Sequence, residues 1–229
     1  MNANTTTEIS PATLELRSEL LDTMCAMGRA GLNVGTAGNA SVRLSSAADH
    51  TLRMLITPSG VPSERCQPED MALTEADGRY HGPLAPSSEW QLHRDIYTAF
   101  PDAGAVLHAH SPFATALACQ RIEIPPFHYM IARFGGRTVR CARYATFGTQ
   151  ALSDAAVAAL QGRNACLLAN HGMVVFGRDL AHALGLAIEF ETLCAQYWRT
   201  LQMGAPVLLS ETEMTEVIAR FSGYGKPRA

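Results

Sequence analysis

The segment AVLHAHSPFATALA, residues 105–118, places two histidines at the end of a short apolar run. Residues 105–107 predict a buried strand, and His108 and His110 follow it two positions apart. Side chains at positions i and i+2 of a strand point to the same face of the sheet. The two imidazoles are therefore expected side by side. They are either ordinary strand-end histidines or half of a metal site.

The composition is that of an ordinary globular protein. The chain has 229 residues, 47% hydrophobic and 17% charged, which suits one domain, although two small domains also fit. The formal net charge is −3 and the basic residues are scattered, so neither a nucleic-acid surface nor a polybasic membrane patch is expected. No apolar run approaches the roughly 18 residues of a membrane helix.

The N-terminal stretch MNANTTTEIS has neither a basic segment nor an apolar one, so no signal peptide is expected and the predicted location is the cytoplasm. The cysteines contain no C-x-x-C pair, which favours reduced, packed thiols over disulfides. Residues 1–9 are predicted to be a loose tail, and residues 10–229 a single domain.

Apolar periodicity predicts an α/β fold with a mixed or mostly antiparallel central sheet flanked by helices. Ser10 is the predicted N-cap of a first helix that Gly31 ends, and Asp77-Gly78 predicts a hairpin. Ser87 or Ser88 is the predicted N-cap of the next helix. Further elements are strands over 41–45, 52–56 and 137–144, a strand–turn–strand over 164–177, and helices over 112–119, 149–163, 179–203 and 210–221.

A third histidine lies in a context like that of the pair. His171 ends the apolar run of LLANHGMVV, just before Gly172. Two strand ends could bring His108, His110 and His171 together, and three histidines with an open position are typical of catalytic zinc. A structural role for each histidine is the alternative. No function is assigned to the remaining histidines, which have polar or helical surroundings: His50, His81, His93 and His182.

Three short polar segments are candidates for anion binding. In PSSEW, residues 86–90, Ser87 and Ser88 either cap a helix or bind phosphate with its amides, with Glu89 as a base near the metal. The loops GTAGNAS (35–41) and TPSG (57–60) either turn the chain or point amides at a phosphate. Neither loop matches a P-loop or a dinucleotide fingerprint.

Taken together, seven motifs in this order resemble the class II aldolase/adducin family: GTAGNASVR, TPSG, PSSEW, AVLHAH, HYMIARFGG, CARYATFGT and NHG. The resemblance spans about residues 13–225, and it is greatest to the L-fuculose-1-phosphate aldolases of that family. It implies that His108, His110 and His171 bind one Zn²⁺. It also implies that Glu89 ligates the resting metal and leaves it to act as the catalytic acid/base.

The resemblance implies further roles. Three patches would hold the substrate phosphate, namely Gly38 with Asn39, Ser59 with Gly60, and Ser87 with Ser88. Tyr129 would reach the active site of a neighbouring subunit as a second proton-transfer group, within a C4 homotetramer. Phe147 and Tyr224 would close over the aldehyde end. Asn170 departs from the pattern of relatives that carry a histidine there.

The implied reaction is the reversible cleavage of a small phosphorylated sugar, a ketose 1-phosphate of the L-fuculose 1-phosphate type. The products would be dihydroxyacetone phosphate and a short aldehyde of the lactaldehyde type, by way of a zinc-stabilised enediolate. The alternatives are a 5-deoxyribulose- or methylthioribulose-1-phosphate aldolase, and a related dehydratase, epimerase or decarboxylase. A metal-free scaffold, as in the adducin branch, is the alternative outside the enzymes.

Overall fold

The computed structural model describes residues 11–44 and 51–222, and eight strands in these ranges form one sheet. The strands are β1 (Asn39–Leu44), β2 (Arg53–Ile56), β3 (Ala72–Glu75), β4 (Tyr80–His81), β5 (Ala105–Ala109), β6 (Cys141–Ala142), β7 (Ala165–Leu168) and β8 (Gly172–Gly177). Their order in the sheet is β4-β3-β2-β1-β5-β8-β7-β6. All neighbouring strands are antiparallel except β6 and β7, so the predicted mixed, mostly antiparallel sheet is confirmed.

Helices cover both faces of the sheet, which makes a single α/β domain. They are α1 (Pro11–Arg29), α2 (Trp90–Ala99), α3 (Pro112–Cys119), α4 (Gln150–Leu160), α5 (Leu180–Met203) and α6 (Glu211–Ser222). One apolar layer joins α1, α3 and α5 to the sheet through residues such as Leu107 and Phe190. A second layer joins α2 and α4 to the opposite face through residues such as Val106 and Ile96. Because side chains alternate along β5, His108 lies on the same face as Val106, under α2.

The strand β5 is central, and all five of its residues are buried. It pairs with β1, where Asn39 lies opposite His108, and with β8, where Val174 lies opposite His108. Residues directly opposite each other in a ladder project to the same face. Asn39 and His108 are therefore brought together by the strand register.

Two predicted elements differ in the structure. The helix α2 begins at Trp90 and its N-cap is Glu89, so the prediction of a Ser87 or Ser88 N-cap is wrong. The reason is tertiary, because the Ser87 N–H donates to the Thr57 carbonyl and this bond keeps the segment extended up to Ser87. The strand predicted over 137–144 is reduced to Cys141–Ala142, since the Val139 backbone pairs with Ile124 outside the sheet.

The other elements occur close to where they were expected. The hairpin at Asp77-Gly78 forms, with Thr74 opposite Tyr80. The predicted N-cap Ser10, the tail 1–9 and Tyr224 lie outside the described residues. Among the helices in the described ranges, none combines the length and the apolar character needed to cross a membrane.

Candidate active site

The three predicted metal ligands meet in the structure. His108 and His110 project from the end of β5, and His171 lies in the turn between β7 and β8, after Asn170 with φ of 53°. The three rings meet edge to face, with centroids 4.7 to 4.9 Å apart. One ligand nitrogen from each ring lies within 4.8 Å of the others. The two strand ends thus converge on one point.

Hydrogen bonding decides which atoms face that point. The Nδ1–H of His108 donates to the Met173 carbonyl at 2.8 Å, so the Nε2 of the neutral ring carries a lone pair. That Nε2 lies 3.0 Å from the Nε2 of His110 and 3.2 Å from Oε2 of Glu89. Oε1 of Glu89 is buried without a hydrogen-bond partner and lies 3.5 Å from Nε2 of His171.

A divalent cation fits this arrangement. The lone pairs of the imidazole nitrogens and of the Glu89 carboxylate converge on one space. A buried carboxylate oxygen without a hydrogen-bond partner is costly unless a positive charge lies beside it. Three imidazoles and one carboxylate form a donor set typical of zinc. The Nδ1–H bond to the Met173 carbonyl fixes the His108 tautomer, as is usual for metal-bound histidine.

The protonation states also suit a metal site. Burial lowers the pKa of His108 and of His110, and burial together with positive charge at His108 lowers the pKa of His171 to about 4. The imidazoles are therefore unprotonated at neutral pH. Burial raises the pKa of Glu89. The attraction to His108 and His171 in their protonated forms, together with a hydrogen bond from Asn39, outweighs that effect and holds the pKa of Glu89 below its usual range.

The position of Glu89 follows from the way α2 begins. Its carboxylate lies at the N-terminus of the helix, where the helix dipole favours negative charge. The Nδ2 of Asn39 donates to Oε2 of Glu89 at 3.0 Å, and the Glu89 N–H donates to Oγ of Ser87 at 3.3 Å. The buried carboxylate is thereby held beside the three imidazoles.

An open cleft of about 360 Å³ leads to the histidines. All six residues predicted to hold a phosphate line it: Gly38, Asn39, Ser59, Gly60, Ser87 and Ser88. Thr57 connects their loops, because it exchanges hydrogen bonds with the Ala40 backbone and accepts from the Ser87 N–H. The three short segments that the sequence suggested separately thus form one wall.

Gly38 is required by this wall. Its φ is +75°, and a Cβ there would lie 2.3 Å from the Asn33 side chain. Asn33 in turn accepts a hydrogen bond from the His110 N–H at 3.3 Å, so it connects the loop of Gly38 to the end of β5. Neither Asn33 nor Thr57 was identified from the sequence, since only their tertiary contacts show their part in the site.

His93 was also missed. It is fully buried, and its ring lies between Asn39 and Ser41, with Nε2 at 2.6 Å from Oδ1 of Asn39 and Nδ1 at 2.7 Å from Oγ of Ser41. The sequence does contain an indication of this position. His93 follows Glu89 by four positions, and residues with that spacing lie on the same face of a helix.

Of the two residues predicted at the aldehyde end, Phe147 and Tyr224, the structure describes only Phe147. Phe147 lines the cleft and is 65% exposed, beside Tyr144 and Asn170. Tyr129 is 50% exposed in a 3-10 turn near Phe221, and it does not line the cleft of its own chain. Tyr224 lies beyond the described residues.

Comparison with known proteins agrees with the geometry. Residues 18–198 match the family model described as Class II Aldolase and Adducin N-terminal domain, and the chain belongs to this family. It is 48% identical over 212 residues to a 5-methylthioribulose-1-phosphate/5-deoxyribulose-1-phosphate aldolase of Rhodospirillum rubrum, covering 93% of each chain. It is 42% identical to the L-fuculose phosphate aldolase of Escherichia coli K12, covering 92% of this chain and 96% of the relative.

A solved structure of an L-fuculose 1-phosphate aldolase superposes with a TM-score of 0.84 at 36% identity, covering 91% of this chain and 96% of the other. These findings confirm the predicted family and fold. The chain is a class II aldolase, and enzymes of this class are metal-dependent lyases. The two relatives named above are aldolases of small phosphorylated sugars. The cluster of His108, His110 and His171 could bind the metal.

Proposed function

We propose that this chain reversibly cleaves a ketose 1-phosphate into dihydroxyacetone phosphate and a short aldehyde, with one Zn²⁺ held by His108, His110 and His171. One observation carries the proposal. A buried carboxylate with a free oxygen, that of Glu89, lies beside three converging imidazoles at one end of a cleft walled by glycine and serine loops. That arrangement suits carbon–carbon cleavage next to a carbonyl, in a substrate anchored by a phosphate.

Substrate binding falls to the loop wall. The loops around Gly38, Ser59 and Ser87 bring backbone amides and hydroxyls into the cleft, and such groups bind phosphate well. The anchored phosphate orients the rest of the sugar toward the histidines, which lowers the entropic part of the barrier. Zinc, when bound, would act as a Lewis acid that stabilises negative charge on the carbonyl oxygen.

Proton transfer at carbon falls to Glu89. Cleavage of the C3–C4 bond leaves the electron pair on C3, and the C4 hydroxyl loses its proton as the aldehyde forms. In our proposal Glu89, which would also ligate the resting metal, delivers a proton to C3 or removes it in the condensation direction. In the condensation direction the phenol of Tyr129 of a neighbouring subunit donates its proton to the aldehyde oxygen, and in cleavage the resulting phenolate takes the C4 hydroxyl proton back. Its exposure and its position outside the cleft of its own chain support this assignment.

For the substrate we propose 5-deoxyribulose 1-phosphate or its 5-methylthio analogue, ahead of the L-fuculose 1-phosphate expected from the sequence. The 48% identity to the Rhodospirillum rubrum aldolase supports this order. Tyr144 and Phe147 also bring two aromatic rings to the cleft, which suits an aldehyde without a hydroxyl group. L-Fuculose 1-phosphate is the second candidate, favoured by the 0.84 TM-score to its aldolase. We also propose a cytoplasmic C4 homotetramer.

The test is release of the aldehyde by zinc-loaded protein, measured by a coupled reduction of the aldehyde, because both the phosphorylated and the dephosphorylated sugars would yield that product. The panel contains the three ketose 1-phosphates and their dephosphorylated forms. We expect cleavage of at least one phosphate, with the 5-deoxy sugar preferred. Equal cleavage of a dephosphorylated sugar would refute the phosphate wall, and no cleavage of any ketose 1-phosphate would refute the function.

Metal content is tested separately. The purified protein is expected to carry about one zinc per chain, and His110→Ala to lose both metal and activity because one of three protein ligands is removed. The matched control is His81→Ala, a half-exposed histidine on the edge strand β4. A His110→Ala variant with full metal content would refute the ligand assignment.

A further inference from the structure

A row of buried polar side chains extends behind Glu89, away from the cleft. It consists of Asn39, His93, Ser41 and Tyr97, each no more than 5% exposed. The donor–acceptor distances along the row are 3.0 Å from Asn39 to Glu89, 2.6 Å from His93 to Asn39, 2.7 Å between Ser41 and His93, and 2.8 Å between Tyr97 and Ser41. The mechanism proposed above does not use His93, Ser41 or Tyr97.

The chemistry of the two ends fixes the direction of every hydrogen bond. A carboxylate only accepts, so Asn39 turns its Nδ2 to Glu89 and its Oδ1 to His93. Oδ1 also only accepts, so Nε2 of His93 carries the proton. A neutral ring then accepts at Nδ1 from the Ser41 hydroxyl, which accepts from the Tyr97 hydroxyl. All the donors point toward the Glu89 carboxylate.

The burial of the row keeps that direction. Burial, together with repulsion from His108 in its protonated form, lowers the pKa of His93 to about 3, and burial raises the pKa of Tyr97. His93 therefore remains neutral and Tyr97 remains a hydroxyl over the working pH range. Hydrogen bonds aligned in one direction in a low dielectric polarise one another and strengthen the last bond, which is the one to Oε2 of Glu89.

We propose that His93 is a positioning residue that, through Asn39, holds the Glu89 carboxylate by Oε2 and leaves Oε1 as the atom that exchanges a proton with the substrate. The orphaned state of Oε1 agrees with this division between the two oxygens. The inference rests on the proposed function for its kinetic consequence. Its structural content, the tautomer of His93 and the grip on Oε2, is independent of any substrate.

The first test is therefore made without substrate. Long-range ¹H–¹⁵N spectra of zinc-loaded protein are expected to show His93 as the neutral Nε2–H tautomer throughout pH 6–9. A proton on Nδ1, or a ring that becomes cationic in this range, would overturn the proposal even if the enzyme is active. If no ketose 1-phosphate is cleaved, the proposed function fails while this measurement still decides the inference.

The second test compares His93→Leu with His93→Gln. Leucine removes the donor to Asn39, whereas glutamine can still offer an N–H. In His93→Leu we expect a 10- to 100-fold lower kcat, a KM within about threefold of wild type and unchanged zinc content. His93→Gln should recover most of the kcat. A folded, zinc-replete His93→Leu enzyme with wild-type kcat would overturn the proposal, as would His93→Gln equal to His93→Leu.

A purely structural role is separated by a control residue on α4 that is hydrogen-bonded to the helix of His93. Ser153 is fully buried and donates to Oδ2 of Asp95 on α2 at 2.5 Å, but it forms no hydrogen bond with a member of the row. Ser153→Ala should lower Tm without changing kcat. Tyr97→Phe removes only the last hydroxyl and should lower kcat about 2- to 5-fold, with the same KM. If Ser153→Ala lowers kcat as much as His93→Leu does, the effect is structural and the proposal is wrong.

Discussion

Glu191 on α5 holds the beginning of α3, and its removal should weaken both the fold and the metal site. Its Oε2 accepts from the Ser111 hydroxyl at 2.7 Å and from the Ala114 N–H at 2.9 Å, and its Oε1 accepts from the Phe113 N–H at 2.8 Å. Ser111 directly follows the metal ligand His110 and is fully buried. One carboxylate thus satisfies three donors at a helix N-terminus, where negative charge is favoured.

The magnitude follows from those three bonds. A hydrogen bond to a charged group contributes about 1.5–3 kcal/mol, and a buried donor left without a partner costs about 1–3 kcal/mol. Water can reach part of this site after truncation, so the three losses do not add fully. For Glu191→Ala we expect the free energy of unfolding to fall by about 3 kcal/mol. Glu191→Gln keeps one acceptor oxygen and should lose about half as much.

Urea unfolding of the metal-free variants measures the change in the free energy of unfolding, and zinc titration measures the change in zinc affinity. Zinc affinity should fall in Glu191→Ala, because the backbone after His110 is released. Glu189→Ala, two positions earlier on the same helix, controls for the loss of a glutamate from α5. The reasoning is wrong if Glu191→Ala and Glu189→Ala lose the same stability, or if zinc affinity is unchanged in a destabilised Glu191→Ala.

Three further variants test other parts of the structure. Glu89→Gln can still accept a hydrogen bond from Asn39 but cannot exchange protons, so it should keep its zinc and lose about 10²-fold or more in kcat. It should also stop exchanging the C3 proton of dihydroxyacetone phosphate in deuterated solvent. Normal exchange in this variant would assign proton transfer at C3 to another group. Gly172→Ala places a Cβ 2.3 Å from the Ala109 carbonyl oxygen, a clash with backbone that should displace β5 from β8 and abolish zinc binding, as metal analysis of the folded fraction would show. Burial raises the pKa of Asp95, but hydrogen bonds from Arg94, Ser153 and Gln150 outweigh it and lower the pKa, so its contribution to stability is present above its unfolded pKa and is lost as the pH falls through the folded value. Asp95→Asn should therefore flatten the acid side of the stability profile below about pH 4, and an unchanged profile would contradict this assignment.

Local sequence patterns were enough to predict several features of the fold and of the site. The two-residue period of a strand put His108 and His110 on one face, and Asp77-Gly78 formed the predicted turn. The order of short motifs predicted the family, which the comparisons confirm. These features depend on residues close together in the chain, so their geometry hardly changes with the rest of the fold.

The helix boundary at Ser87 and the partners of Glu89 were decided only by the tertiary structure. Ser87 and Ser88 satisfy every local rule for an N-cap, but the Thr57 carbonyl, thirty residues earlier, takes the Ser87 N–H and moves the cap to Glu89. His93 had only helical surroundings in the sequence. It joins the site because α2 packs over β1, where Asn39 lies opposite His108. Strand register and helix docking are set by the packing of the whole core, so no short segment of the sequence encodes them.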